Sequence, residues 1–292
     1  MRELRGMPVA KTMLEGLQKE VAGLEGKGIV PKLAIVRVGE REDDLAYERG
    51  IYKRFETAKA LVETIVLPTG VTQEKLEEVI SGLNQEEKVH GILVFRPLPE
   101  HLEEKRIEKL IAEDKDVDGM TMANAAHVFA GDGSGYPPCT PQAVMEILEH
   151  YGIDVCSKKV TVVGRSMVVG RPLAMLLLQK HATVTICHTR TENLEEECKR
   201  ADILIACAGV PRMFKKSFVR QGQTVIDVGI HAVEGGLCGD VDYETVLGQV
   251  EAITPVPGGV GSVTTTVLLK HVVESAWLMS GLKDNIRSKR EG

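Results

Sequence analysis

Short apolar runs rich in Val and Ile, each bounded by glycine, proline or polar turn residues, alternate along this chain with longer amphipathic stretches. The runs are KLAIVRVG (32–39), VETIVLP (62–68), GILVFRP (91–97), KVTVVG (159–164), ATVTIC (182–187), ADILIACAG (201–209) and QTVIDVGI (223–230). Strands that alternate with helices predict an α/β fold built on parallel sheet. Thr72, with Glu74 and KLEEVISGL behind it, marks one helix start; Pro172 opens another, PLAMLLLQKH, whose leucine-rich face must be buried. Gly, Pro and Ser concentrate in GDGSGYPPCTPQ (131–142), the best linker candidate, which places a domain boundary between 1–140 and 141–263. PVPGGVG (255–261) then breaks the pattern ahead of a last apolar helix, TTTVLLKHVVESAWLMS (264–280), carried on to residue 284.

Composition narrows the function. The 292 residues are 43% hydrophobic and 27% charged, enough for a sizeable core under a soluble surface, and they suit two modest domains. Lys and Arg number 36 against 42 Asp and Glu, a net charge of −6, which disfavours nucleic acid or an anionic membrane as main partner and favours small-molecule chemistry. Six cysteines are scattered without a CxxC pair, so a metal site is not expected, and reduced thiols in a cytoplasmic protein are. The start, MRELRGMPVAKTMLEGL, has no uninterrupted apolar core, and no run reaches the ~18 apolar residues of a membrane span.

The segment VTVVGRSMVVGRP (160–172) passes from a β-branched strand through a glycine-bounded turn into a helix. Gly164 and Gly170 permit close backbone approach, and N–H groups at a helix start favour an anion such as a pyrophosphate; a plain strand-to-helix turn is the competing reading, since GxGxxG is incomplete. The next strand ends Cys187, His188, Thr189, Arg190, with no acid to hold a ribose 2′-hydroxyl. Arg165 and Arg190 suit a 2′-phosphate, so NADP is expected ahead of NAD, with solvated surface arginines as the alternative.

VVGRSMVVGRP, ADILIACAGVP, TVIDVGI, GDVDYE and TPVPGGVG, preceded in order by VGE with Tyr47, PLP (97–99), DKDVDG (114–119) and PCTP (138–141), closely resemble the FolD family of methylenetetrahydrofolate dehydrogenase/methenyltetrahydrofolate cyclohydrolases over essentially the whole chain. The resemblance implies an N-terminal α/β folate domain, a Rossmann-type NADP-binding domain, a cleft between them, a homodimer, and a terminal helix packed back on the first domain. It implies oxidation of 5,10-methylenetetrahydrofolate by NADP, then hydrolysis of the methenyl product to 10-formyltetrahydrofolate, in one-carbon metabolism. Carried over by motif, Gly164, Arg165, Ser166, Thr189 and Ile230 would serve the nucleotide, Asp118 would anchor the pterin, and Pro257, Gly258 and Gly259 would lie in the loop beside the substrate. A carboxylate suits the pterin edge because that edge offers adjacent N–H donors; a turn or helix-capping role is the other reading of Asp118.

The first half departs from the family at its catalytic hallmark, Tyr-x-x-x-Lys. Tyr47 is followed by Ile51 where the lysine is expected, and Phe95 occupies the position of the glutamine that hydrogen-bonds it. Asp44 stands for a serine, Ser262 ends PGGVG, and Lys53 and the Tyr52/Glu56 pair offer no replacement. Hydride transfer is chiefly positioning chemistry, whereas hydrolysis needs protons moved, so the expectation is an NADP-dependent dehydrogenase with weak or absent cyclohydrolase activity. A fully bifunctional enzyme and a non-catalytic folate- or nucleotide-binding paralogue are the alternatives.

Overall fold

The computed structural model describes residues 1–281 and divides into two units, Met13–Pro137 with the segment from Thr265, and Met1–Thr12 with Pro138–Thr264. Strand β1 (Arg2–Glu3) belongs to the second unit, not to the first as the 1–140 boundary would have it. The expected helix to 284 runs Thr264–Met279, and residues 282–284 lie outside the described residues. Among the described residues no helix is long and apolar enough to cross a membrane.

In the first unit β2 (Lys32–Val38), β3 (Leu61–Leu67) and β4 (Gly91–Val94) form a parallel sheet in the order β3-β2-β4, with Leu33 opposite both Val62 and Gly91. The crossovers are the helices Glu42–Ala58 and Gln73–Gln85; Thr72 caps the latter by accepting from Lys75 N. Ala34, Val36, Leu76, Ile80, Ile92 and Ile107 make a core with essentially no exposure. The run 91–97 is strand only to Val94: Phe95 N still donates to Val36 O, but Pro97 has no N–H to continue the ladder.

The DKDVDG loop and the terminal helix close over β4. Lys115 buries its ammonium and donates to the carbonyls of Leu83, Asn84 and Glu86 at 3.1, 2.8 and 2.8 Å. Asp116 accepts from Met120 N, Thr121 N and Asn124 Nδ2. From the terminal helix His271 Nδ1 donates to Val117 O at 2.8 Å and Ser275 Oγ to Asp114 O at 2.8 Å. A Cβ at Gly91 would meet Val117 and Val272 side chains below 3 Å, so only glycine lets loop and helix pack this closely on the strand.

Next to Gly91, the buried His90 ring accepts a hydrogen bond at Nδ1 from Lys32 N (3.1 Å), which requires an unprotonated nitrogen. Burial, with Lys115 and Lys32 nearby, depresses its pKa to about 4. A depressed histidine stabilises the fold above its unfolded value near 6.5 and loses that contribution as pH falls toward 4. Urea unfolding is therefore expected to show up to about 3 kcal/mol less stability at acid pH in wild type than in His90→Gln, referenced to neutral pH; a parallel pH dependence in the two proteins would refute this.

The second unit is a six-stranded, wholly parallel sheet in the order β1-β11-β8-β7-β5-β6, where β5 is Lys159–Val163, β6 Thr183–Cys187, β7 Ile203–Ala206, β8 Thr224–Asp227 and β11 Ala252–Ile253. A hairpin, β9 (His231–Val233) with β10 (Gly236–Cys238), stands apart. The predicted run 201–209 shortens to 203–206, because Cys207 N makes the last ladder bond to Val163 O and Gly209 turns away at φ +72°. The run 223–230 shortens to 224–227 because the Asp227 carboxylate folds the next residues around itself, accepting from Gly229 N, Asp240 N and Val241 N. From β5 the chain builds outward to β6, then returns past β5 to add β7 on its other side. The carboxyl ends of β5 and β7 thus flank the topological switch point where open α/β sheets bind ligands.

Candidate functional sites

In the first unit, Tyr47 lies in the second turn of the helix Glu42–Ala58 with 36% of its surface exposed, and its ring centroid is 5.8 Å from that of Phe95, tilted by 40°. One turn further on, Ile51 has no exposure and joins Phe55 in the apolar face of the helix. Position 51 therefore contributes to the core of the unit. Lys53 lies elsewhere, in an open cavity with Arg37, Glu48, Arg49, Tyr52 and Glu56. Tyr52 is bonded to Thr64 at 3.0 Å and Thr64 in turn donates to Glu48, so Tyr52 belongs to a structural network about the Arg37–Glu48 ion pair.

The two aspartates of DVDG and its preceding turn divide their tasks. The turn-stabilising role falls to Asp116, whose carboxylate is fully buried and saturated by the donors named above. Asp118, two residues on, keeps about a quarter of its side chain exposed and stands 3.8 Å from Arg96 Nη2. Arg96 is a candidate that the run of apolar positions conceals: it follows Phe95 where the strand has ended, and only its charge amid GILVFRPLP signals it. Arg41, at the head of the Tyr47 helix, is a second: it donates to Arg96 O, Pro97 O and Asp44.

In the second unit the turn between β5 and the helix Gly170–Gln179 sits at the switch point. Gly164 (φ +142°) lies where a Cβ would come within 2.2 Å of Cys207 O, and a Cβ on Gly170 would come within 2.0 Å of Gly164 O. The turn is tightened by Ser166 Oγ, which accepts from Val169 N at 3.0 Å, while Arg165 and Ser166 stay exposed. A backbone cradle that no side chain can enter, opening at a helix N-terminus, fits a pyrophosphate. The Cys207 thiol behind it is pushed up to about 12 by burial, so it is a packing group rather than a nucleophile.

After β6, His188 N donates to Thr191 Oγ1 (2.8 Å) and Arg190 N to His188 Nδ1 (3.1 Å), a locked turn that leaves Thr189 and Arg190 exposed. Ile230 follows β8 with 61% exposure. Its position is set by the Asp227 carboxylate and by the His231–Asp240 pair at 2.7 Å; burial pushes the Asp227 carboxyl up to about 7 against the pull of its N–H donors. In the loop 255–261, Pro257 is exposed, Gly258 has φ +102°, and a Cβ on Gly259 would lie 2.4 Å from Pro255 O. Gly6 N donates to Gly258 O at 2.8 Å, and a Cβ on Gly6 would lie 2.2 Å from Gly259 O, so this loop is pinned to the start of the chain.

Each unit thus gathers its own candidates: Tyr47, Ile51, Phe95 and Asp118 in the first; Gly164, Arg165, Ser166, Thr189, Arg190, Ile230 and the 257–259 loop in the second. Residues 4–118 match the family model of the tetrahydrofolate dehydrogenase/cyclohydrolase catalytic domain, and residues 138–279 that of its NAD(P)-binding domain. The Bifunctional protein FolD of Clostridioides difficile is 54% identical over 95% of this chain and 97% of that protein, and that of Carboxydothermus hydrogenoformans 51% over 96% and 98%. The crystal structure of the FolD dehydrogenase/cyclohydrolase from Campylobacter jejuni superposes with a TM-score of 0.92 at 38% identity, covering 94% of this chain and 98% of that one. The Trypanosoma brucei FolD structure, complexed with NADP cofactor and inhibitor, gives 0.88 at 35% over 96% and 98%. With both family domains present in order and relatives matched along nearly their full length, the chain belongs to the FolD family of tetrahydrofolate dehydrogenase/cyclohydrolases.

Proposed function

We propose that this protein oxidises 5,10-methylenetetrahydrofolate to the 5,10-methenyl form with NADP as acceptor, and hydrolyses the methenyl product only weakly. The observation that carries the first part is the side-chain-free turn at the switch point with exposed Arg165, Thr189 and Arg190 beside it and no acid among the residues 188–191 that follow β6. NADP, when bound, supplies the hydride acceptor; the chain's own residues orient and neutralise. Gly164 and Gly170 admit the pyrophosphate, Ser166 and Thr189 offer hydroxyls, and Arg165 and Arg190 suit the 2′-phosphate. Asp118 would hold the pterin through its N–H edge, and the Pro257–Gly259 loop would leave room for close approach.

The second part rests on Ile51. Hydrolysis adds water to the methenyl carbon, takes both protons from the added oxygen, and breaks a carbon–nitrogen bond as that nitrogen accepts one of them, leaving a formyl group and one released proton. Tyr47 would take part, but one turn away there is a fully buried isoleucine, and Phe95 gives Tyr47 a ring contact instead of an amide. Loss of general acid–base help of this kind typically lowers a rate by ~10²–10⁴-fold. A fully bifunctional enzyme is the second reading, favoured by relatives at 54% and 51% identity that carry the name Bifunctional protein FolD. Purified protein given methylenetetrahydrofolate with NADP or NAD, followed by a separate assay of methenyltetrahydrofolate decay, decides between them: brisk enzyme-dependent decay removes the attenuated reading, and absence of hydride transfer removes the dehydrogenase.

Arg165→Ala and Arg190→Ala are each expected to raise the KM for NADP about ten-fold while leaving that for NAD little changed, as loss of a charge-assisted contact to one phosphate implies. Equal losses with both nucleotides would refute the assignment. The family's homodimer and a cytoplasmic setting belong to the same proposal; equilibrium sedimentation yielding only monomer would remove the former.

A further inference from the structure

Position 51 carries no charge, yet a cation does stand beside Asp118. Arg96 Nη2 lies 3.8 Å from Asp118 Oδ2, with 24% and 26% of the two side chains exposed. The backbone under Arg96 is held from the Tyr47 helix: Arg41 donates from Nη2 to Arg96 O (3.3 Å) and from Nη1 to Pro97 O (3.2 Å), and is itself fixed by Asp44 Oδ1 at 3.0 Å. The same segment carries Phe95, against which Tyr47 packs. Arg41, Asp44, Phe95 and Arg96 therefore form one connected assembly between the start of that helix and the end of β4, with the guanidinium of Arg96 at its tip.

We propose that Arg96 is a positioning residue of the folate site: it holds the Asp118 carboxylate aimed as an acceptor for the N–H edge of a pterin, and supplies from the end of β4 the positive charge that Ile51 does not supply from the helix. This role rests on Asp118 being the pterin carboxylate. An arginine restores charge without restoring proton transfer, because its guanidinium stays protonated at every working pH. Arg96 thus brings positive charge to the Asp118 carboxylate without bringing a proton shuttle.

The test is a double-mutant cycle on methylenetetrahydrofolate oxidation by the full chain, using Arg96→Leu, Arg96→Lys, Asp118→Asn and Arg96→Leu with Asp118→Asn. A partly exposed pair predicts that Arg96→Leu raises the KM for the folate about five-fold with kcat and the KM for NADP nearly unchanged. Arg96→Lys should recover most of the loss, and in the Asp118→Asn background Arg96→Leu should cost nothing further. An unchanged folate KM in Arg96→Leu, equal losses in the leucine and lysine variants, or full additivity of the two substitutions overturns the proposal. If Asp118→Asn leaves the folate KM unaltered, the pterin reading of Asp118 fails and Arg96 falls with it; if Asp118→Asn is damaging and Arg96→Leu is silent, only the role of Arg96 fails. Should Arg96→Leu fold poorly by circular dichroism, Arg96→Gln takes its place in the cycle. If wild type turns over no folate, the same cycle is read by equilibrium binding of tetrahydrofolate.

Discussion

Gly170→Ala is expected to lower NADP affinity by about 100-fold or more, equivalent to about 3 kcal/mol. The added Cβ would sit 2.0 Å from Gly164 O and 2.9 Å from Arg165 N, both backbone atoms of the turn that would cradle the phosphates. Neither can retreat without opening the turn, and Gly164 is already at φ +142° with Cys207 O behind it. Gly164→Ala should have the same outcome for a second reason, since an L-residue is strained at that φ. Calorimetric titration of NADP measures the effect. Gly82→Ala is the matched control: Gly82 is exposed in a helix with nothing within 4 Å of the added carbon, so the substitution should stabilise the protein by about 0.5–1 kcal/mol and leave turnover alone. Retention of NADP affinity in Gly170→Ala would mean that the nucleotide does not use this turn.

Ile51→Lys with Phe95→Gln is expected to raise methenyltetrahydrofolate hydrolysis by about 100-fold, the lower range of general acid–base assistance. The structure adds a condition: Ile51 has no exposure, so Ile51→Lys alone puts an ammonium into an apolar face and should cost several kcal/mol of stability unless the chain relaxes to expose it. The glutamine at 95 supplies an amide oxygen that can accept from the new ammonium, and it removes the ring now packed on Tyr47 at 5.8 Å. The double variant should therefore be more stable than Ile51→Lys by itself. Decay of the methenyl chromophore and thermal unfolding follow the two effects. A double variant that folds, transfers hydride and hydrolyses no faster than wild type would show that the missing pair is not what limits hydrolysis.

The β-branched runs gave away seven strands to within a few residues, because uniform apolar character and flanking turns survive in the sequence as local features. Their ends did not, since each strand stops where a particular partner stops: at Pro97, which has no N–H, or where Asp227 gathers three N–H donors. Strand β1 was invisible, as two residues carry no periodicity and their partner lies near residue 252. The hairpin of β9 and β10 was signalled only by Gly235 and Gly236, both at positive φ. In the candidate sites, the family resemblance pointed to Asp118, but the separate task of Asp116 needed the fold to bring Met120, Thr121 and Asn124 to its carboxylate. Arg96 and Arg41 became candidates through one ion-pair contact and two backbone-directed bonds that only tertiary structure creates, the Arg41–Asp44 pair being local to the helix start.

The pairing of residues 2–3 with 252–253 and the packing of the helix Thr264–Met279 bear on how the molecule is made. Residues 2 and 3 complete their sheet only by pairing with 252 and 253, and β4 with its DKDVDG loop is covered only by His271, Val272 and Ser275. A nascent chain emerging from the ribosome reaches Pro137 with all three strands of the first sheet synthesised and the helix that covers them still more than a hundred residues away. The usual order, in which an N-terminal domain folds before its successor is translated, is closed to this topology. Neither unit can finish its packing until the residues beyond 250 become available to it.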